Sequence, residues 1–340
     1  MIRRGLIPLL VVLAVLALLA GLSLSLGALT VGPSQVLSAL RQPDPQDYAQ
    51  IVVATQRLPR VLMAIHAGAC LAAAGLVMQG LTRNPLAAPT TLGVNAGAML
   101  AVLVSVFGFG LGMMAQGLAA LAGGAVGFAA SLGVARLAGI GRGAQRGLAL
   151  ILAGALVSML LMGLAQALLL SDPTRRTDFL AWAAGNINHV YAARLAAFWW
   201  IGAAALLVLA ALSRPLTLML LGADKAASAG VNVQRTEALA LAAAVMAAAS
   251  AVAVCGPIGF VGLVVPHLVR PFTGAAYGRA LPVAAVTGAC ACLAADIAAR
   301  SLFAPSVIAT GLMLDLIGGI AFAVIVRRHY LRPAGRAVAA

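Results

Sequence analysis

Apolar residues run along this chain in blocks of about twenty, and most charged residues fall in the breaks between blocks. A helix needs ~20 apolar residues to cross ~30 Å of hydrocarbon, so each block has the length of a membrane span. The pattern predicts ten segments, at 6–29, 60–81, 92–111, 113–137, 147–170, 191–212, 236–255, 256–270, 281–300 and 307–326. The eighth holds Pro257, Gly259, Gly262 and Pro266 and reaches only ~22 Å at 1.5 Å per residue. It is expected to cross packed among other helices, where neighbours shield broken backbone. Between the blocks lie a polar stretch at 41–56, a semi-polar stretch at 171–189 with Trp182 and Gly185, and a loop at 213–235. The run behind Arg3 and Arg4 is read as an uncleaved first span, since no small-x-small site precedes a soluble domain. The expected fold is all-α: one polytopic membrane domain over residues 1–340.

Composition supports this pattern. With 63% apolar and 9% charged residues, the chain is no water-soluble domain, which carries roughly a quarter charged residues. The formal charge of +14 comes from 22 Lys and Arg against 8 Asp and Glu. Beside apolar spans, such a bias reports membrane orientation rather than nucleic acid. With both termini inside, fifteen basic residues fall on the inner side and seven outside: Arg41, Arg57, Arg60, Arg175, Arg176, Arg194 and Arg300. Outside arginines at span ends call for a reason. The glycines recur at GxxxG spacing (Gly93/Gly97, Gly108/Gly112, Gly123/Gly127, Gly139/Gly143), which suits a closely packed bundle.

Several chemistries are excluded. The sole lysine, Lys225, is flanked by Asp224 and Ala226, where a phosphate-binding GxxxxGK[ST] loop needs Gly and a hydroxyl. ATP therefore acts only through a partner. Cys70, Cys255, Cys290 and Cys292 sit in apolar runs without CxxC spacing, and the four histidines lack HxxxH or HExxH spacing, so neither a redox pair nor a metal site is expected.

Three stretches are more specific. The first runs from Arg57-Leu58-Pro59-Arg60 through Gln79 to Thr82-Arg83-Asn84-Pro85-Leu86-Ala87-Ala88-Pro89-Thr90-Thr91-Leu92-Gly93-Val94. The second is Leu221-Gly222-Ala223-Asp224-Lys225-Ala226-Ala227-Ser228-Ala229-Gly230-Val231. The third is Gly256-Pro257-Ile258-Gly259-Phe260-Val261-Gly262-Leu263-Val264-Val265-Pro266-His267-Leu268-Val269-Arg270, and Ala295-Asp296-Ile297-Ala298-Ala299-Arg300 follows it. Together, from about Arg57 to Arg328, these resemble the FecCD-like (type II) permease subunits of bacterial ABC importers for iron–siderophores, haem and cobalamin.

The resemblance implies ten spans, a second permease copy or paralogue, and two separate ATP-binding subunits using ATP and Mg on the inside. It also implies a soluble periplasmic or lipid-anchored binding protein outside and a location in the bacterial cytoplasmic membrane. A permease of this kind is not an enzyme and binds no cofactor itself. In the family, arginines matching Arg57, Arg60 and Arg300 receive carboxylates from the binding protein, and guanidinium forks suit carboxylates. The alternatives are interfacial anchoring or an internal pair such as Arg300 with Asp296 at i, i+4. The segment Leu221, Gly222, Ala223, Asp224, Lys225, Ala226 to Gly230 fits a short coupling helix seated in an ATPase groove, although many relatives carry Glu where Asp224 stands. Asn84, Pro85, Pro89, Thr90, Thr91, Gly93 and Asn95 form a broken connection implied to gate the pathway, together with Gly259, Gly262 and Pro266.

Asp315 departs from the family, as do Ile308-Ala309-Thr310-Gly311 and Gly318-Gly319-Ile320, where relatives carry Pro-Gly motifs. An acid inside a span is costly; a packing or interface role is expected, with a proton relay as the lesser option. His189, Trp182, Tyr191, Trp199 and Trp200 are read as interfacial anchors. Siderophore is the expected cargo, with haem or cobalamin as alternatives. A gradient-driven transporter would need more mid-membrane acids than Asp315.

Overall fold

The computed structural model describes residues 3–27, 29–138, 144–171, 179–180, 182–303 and 306–329. Helix α1 (Arg3–Ser25) leads to the short α2 (Pro33–Arg41) and α3 (Tyr48–Val52). A π turn, Val53–Arg57, joins α3 to the long α4 (Leu58–Thr82). Next come α5 (Val94–Leu103) with its π extension Val104–Gly108, α6 (Met113–Leu137), α7 (Ala144–Ser171) and α8 (Ala192–Ala211). Two short helices, α9 (Ser213–Met219) and α10 (Ala223–Ser228), precede α11 (Val233–Cys255), α12 (Val261–Thr273), α13 (Tyr277–Ser301) and α14 (Thr310–His329).

Among the described residues, eight helices are long and apolar enough to span a membrane. The shorter Val94–Gly108 and α12 stand at the third and eighth expected positions, so the ten segments follow in the predicted order. Their ends differ from the sequence expectation. The second span starts at Tyr48, inside the predicted polar stretch, because Asp47 caps it: its Oδ1 accepts from the N–H groups of Ala49 at 2.9 Å and Gln50 at 3.4 Å. The π turn follows from Pro59. A proline inside a helix clashes with the carbonyl four residues back, and widening the turn, with Leu58 N–H bonded to Val53 O, relieves it.

Helices α4 and α11 form the centre: the spans that contain them are the most deeply buried of the eight. Around them pack α8, α12 and α13, with α5 and α6 beside α11. Glycine sets how close the backbones come. A Cβ at Gly68 would collide with the backbone of Gly288, and one at Gly75 with that of Gly262. The pair Gly93/Gly97 faces Gly123/Gly127, so those two GxxxG motifs pack α5 against α6. Gly112 meets open space instead, and Gly108 touches only Val104, so that pair is no packing motif. Gly139/Gly143 lies outside the described residues. The outward faces of α1 and α7 expose Leu10, Leu156 and Met159, as a surface in contact with lipid or another apolar chain requires.

Candidate functional site

The residues singled out by sequence gather at three depths of the bundle. At one end, Arg57, Arg60 and Arg300 converge, but all point inward. Asp296, fully buried on α13, accepts from Arg60 Nη2 at 2.6 Å, Arg300 Nε at 3.1 Å and Thr310 Oγ1 at 3.2 Å. Arg300 also reaches Ser23 Oγ at 2.9 Å. The Arg57 guanidinium donates to Leu24 O at 2.7 Å, Ser25 O at 2.9 Å and Leu29 O, tying the end of α1 and the turn after it to the second span. The internal Arg300–Asp296 pair is thus present. Arg57 and Arg60 do not share one face: with the π turn ending at Arg57, that residue turns to α1 while Arg60 turns to α13.

At mid-depth the chain breaks in three places. The connection between α4 and α5 turns through Arg83 in the left-handed region (φ 50°) and Gly93 (φ 85°). Its polar residues satisfy the freed backbone. Asn84 Oδ1 accepts from Leu86 N–H at 2.9 Å, and Thr91 Oγ1 accepts from Ala88 N–H at 2.9 Å and donates to Ala88 O at 3.0 Å. Pro89 O accepts from Val94 N–H. Thr90 is half-buried in this turn. The second break, residues 256–260, ends on Phe260 at φ 58°, a strained position for an aromatic residue. The two breaks meet. Asn95 Nδ2 donates to Ile258 O at 3.2 Å, Gln79 Nε2 to Leu263 O at 3.1 Å, and the Pro89 ring lies against Gly262. Pro266 is buried one turn further along α12. The third break carries Gly185, whose carbonyl accepts from Gly311 N–H at 2.7 Å, while Asn186 N–H donates to Cys255 O at 2.7 Å.

At the opposite end, Gly222 (φ 114°) opens α10 in a conformation that only glycine tolerates. Val231 N–H returns to Ala226 O at 3.0 Å and Gly230 N–H to Ala227 O at 2.9 Å, a left-handed glycine stop. Ala226 is buried, while Leu221, Ala223, Asp224 and Lys225 are exposed. A cleft of about 510 Å³ links this end to the mid-depth joint, lined by Gln79, Asn84, Pro85, Leu220, Arg270 and Tyr277 among others.

Two features escaped the sequence. Arg194 is only 2% exposed; its guanidinium carbon stands 5.6 Å from the Trp182 ring and 5.3 Å from the Tyr191 ring, and it bonds Gln116. Trp182 is therefore core and no interfacial anchor, whereas Trp199 and Trp200 remain more than half exposed. His66 Nε2 and Ser250 Oγ lie 3.0 Å apart, tying α4 to α11, and Ser250 donates onward to Phe198 O on α8. Among the described residues no group of His, Cys, Asp and Glu could hold a metal ion.

Residues 13–328 match the profile of the FecCD transport family. The chain belongs to that family. Among FecCD relatives, the ferric enterobactin permease protein FepG of Escherichia coli is 38% identical over 320 residues, covering 94% of each chain. The iron(3+)-hydroxamate import permease protein FhuB of Bacillus subtilis is 34% identical, over 93% of this chain and 82% of that one. A solved metal-chelate-type ABC transporter in an inward-facing conformation superimposes with a TM-score of 0.77 at 28% identity, covering 94% of this chain and 98% of the other.

Proposed function

We propose that this FecCD chain is the permease subunit of an ABC importer that carries a ferric siderophore across the bacterial cytoplasmic membrane by alternating access. The observation that carries this reading is the family match over residues 13–328, nearly the whole chain. The geometry supports it: broken backbone at membrane depth persists only where protein packs it or water fills a cavity beside it. The joint of residues 84–95 with 256–262 is the gate, and the cleft from Gln79 to Tyr277 leads from it to the inner face. In this reading both termini are cytoplasmic.

The α10 segment is the coupling element. Its exposed Leu221, Ala223, Asp224 and Lys225 seat in an ATP-binding subunit, two of which serve a pair of permeases and hydrolyse ATP with Mg. A rigid turn fixed by Gly222 and Gly230 passes that motion to α11 and to the cleft. The opposite end receives the binding protein. Three arginines against one aspartate leave a surplus of two positive charges there (3 − 1), and such a field steers and orients acidic partner surfaces. The inward bonds of Arg57, Arg60 and Arg300 fix the shape of that surface.

Purification of the tagged chain from its native host tests the assembly. An ATPase carrying GxxxxGK[ST] is expected to co-purify in equal amount with the permease. A permease recovered alone under conditions that preserve other ABC complexes would count against the reading.

A further inference from the structure

Asp315 has no place in the account so far. It lies on α14, about 7.5 Å past Thr310 at 1.5 Å per residue, and so well inside the hydrocarbon depth. It is exposed in the single chain and makes no hydrogen bond or ion pair to any described residue. The nearest outward residues around the helix, Leu312 and Leu316, are 52% and 59% exposed and apolar. A bare carboxylate facing lipid at this depth costs several kcal/mol. The face that carries it must therefore turn to water or to another protein.

A second observation sets it beside a break in the backbone. Asp315 Oδ1 lies directly against Gly259, where a Cβ would collide with it, and Phe260 packs on Gly318. The carboxylate thus borders the break at residues 256–260. Broken backbone and a carboxylate without a partner among the described residues meet at one spot, between residues 256–260 and α14.

We propose, resting on the importer reading above, that Asp315 lines the outer part of the conduit, one from each of two permease copies, and selects cargo by charge. The cargo class is a neutral or cationic ferric chelate of the hydroxamate type. Three singly charged hydroxamates cancel the charge of Fe3+, and a pendant amine adds a positive charge. Three doubly charged catecholates leave a triply negative complex instead. Such an anion passing ~8 Å from one carboxylate in a watery cavity is disfavoured on the order of tenfold relative to a neutral chelate, and more with two.

The test uses one chelate shell with three charges: ferrioxamine B with its free ammonium, its N-acetyl form (neutral) and its N-succinyl form (anionic). The complete importer, with its ATPase and binding protein, is reconstituted in proteoliposomes, and 55Fe uptake is measured for the wild type, Asp315→Asn and Asp315→Glu. Binding-protein affinity for each chelate is measured separately and factored out. The wild type is expected to rank cation over neutral over anion, with a spread of about threefold or more between neighbours. Asp315→Asn should flatten the ranking, and Asp315→Glu should keep it. Each variant is first checked for wild-type levels of inserted, monodisperse protein, and Asp315→Ser stands in if the amide fails. Equal uptake of all three chelates by the wild type would overturn the proposal. So would an unchanged ranking in Asp315→Asn, or a loss of permease pairing in that variant without a change in ranking. Each of these leaves the importer reading standing, because ATP-driven uptake of a chelate would still be seen. Absence of any ATP-dependent uptake would remove both.

Discussion

Replacing Asp296 with Ala should be among the most damaging single changes in this chain. Asp296 is fully buried and accepts three bonds, from Arg60, Arg300 and Thr310. The two arginine side chains are only 8% and 12% exposed. Removing the carboxylate therefore strands two guanidinium charges and one hydroxyl out of water. Breaking a buried ion pair by deleting one partner costs about 3–5 kcal/mol, and the orphaned hydroxyl about 1 kcal/mol, so ~4 kcal/mol is expected because the terms overlap. At ~2 °C per kcal/mol for a chain of this size, the melting midpoint should fall by roughly 8 °C. The assay is a thermal melt of detergent-solubilised protein followed by size-exclusion fluorescence. Arg60→Met in the Asp296→Ala background should cost less than Arg60→Met alone, since one stranded charge goes with it; the coupling should reach about 1.5 kcal/mol or more. A shift for Asp296→Ala within ~2 °C of the wild type, or strictly additive single effects, would refute the view that this network holds α4, α13 and α14 together.

Other perturbations probe the remaining parts. Gly97→Leu should abolish folded protein, since even a Cβ there collides with the Gly123 carbonyl; well-ordered protein at normal yield would contradict the α5–α6 packing. Gly222→Val places a branched side chain at φ 114°, costing ~1–3 kcal/mol locally, and should uncouple uptake from ATP hydrolysis while the rest of the chain stays folded. Arg194→Met keeps the volume and removes a buried guanidinium with two nitrogens unpartnered among the described residues, so the melting midpoint should hold or rise. Reversing the charge at Arg300 (Arg300→Glu) should weaken binding-protein affinity at least tenfold in surface plasmon resonance, with the loss smaller at high salt.

The ten segments were legible because a span imposes length and apolarity that few other folds require, and that signal is local. The α10 turn was legible for a similar reason: Gly222 and Gly230 stand where left-handed backbone is needed, and sequence shows glycine directly. Contacts between distant parts of the chain were not. Arg300 and Asp296 are four apart and could be paired on paper, but Arg60 and Asp296 are 236 residues apart and only the packing of α4 on α13 brings them together. The same holds for Arg194 and Trp182, which a hydropathy pattern assigns to a wet interface and the fold buries against each other. Helix ends were blurred because a cap such as Asp47 looks like any other polar residue until its carboxylate meets Ala49 N–H. The breaks at Pro89 and Gly259 were visible, but that they meet at one joint was not.

Transport itself gives the most direct test of the central claim. Proteoliposomes containing the chain with its ATPase should accumulate 55Fe-loaded chelate only when ATP and the loaded binding protein are both supplied on their proper sides. Accumulation driven by an ion gradient, without ATP or binding protein, would contradict the account.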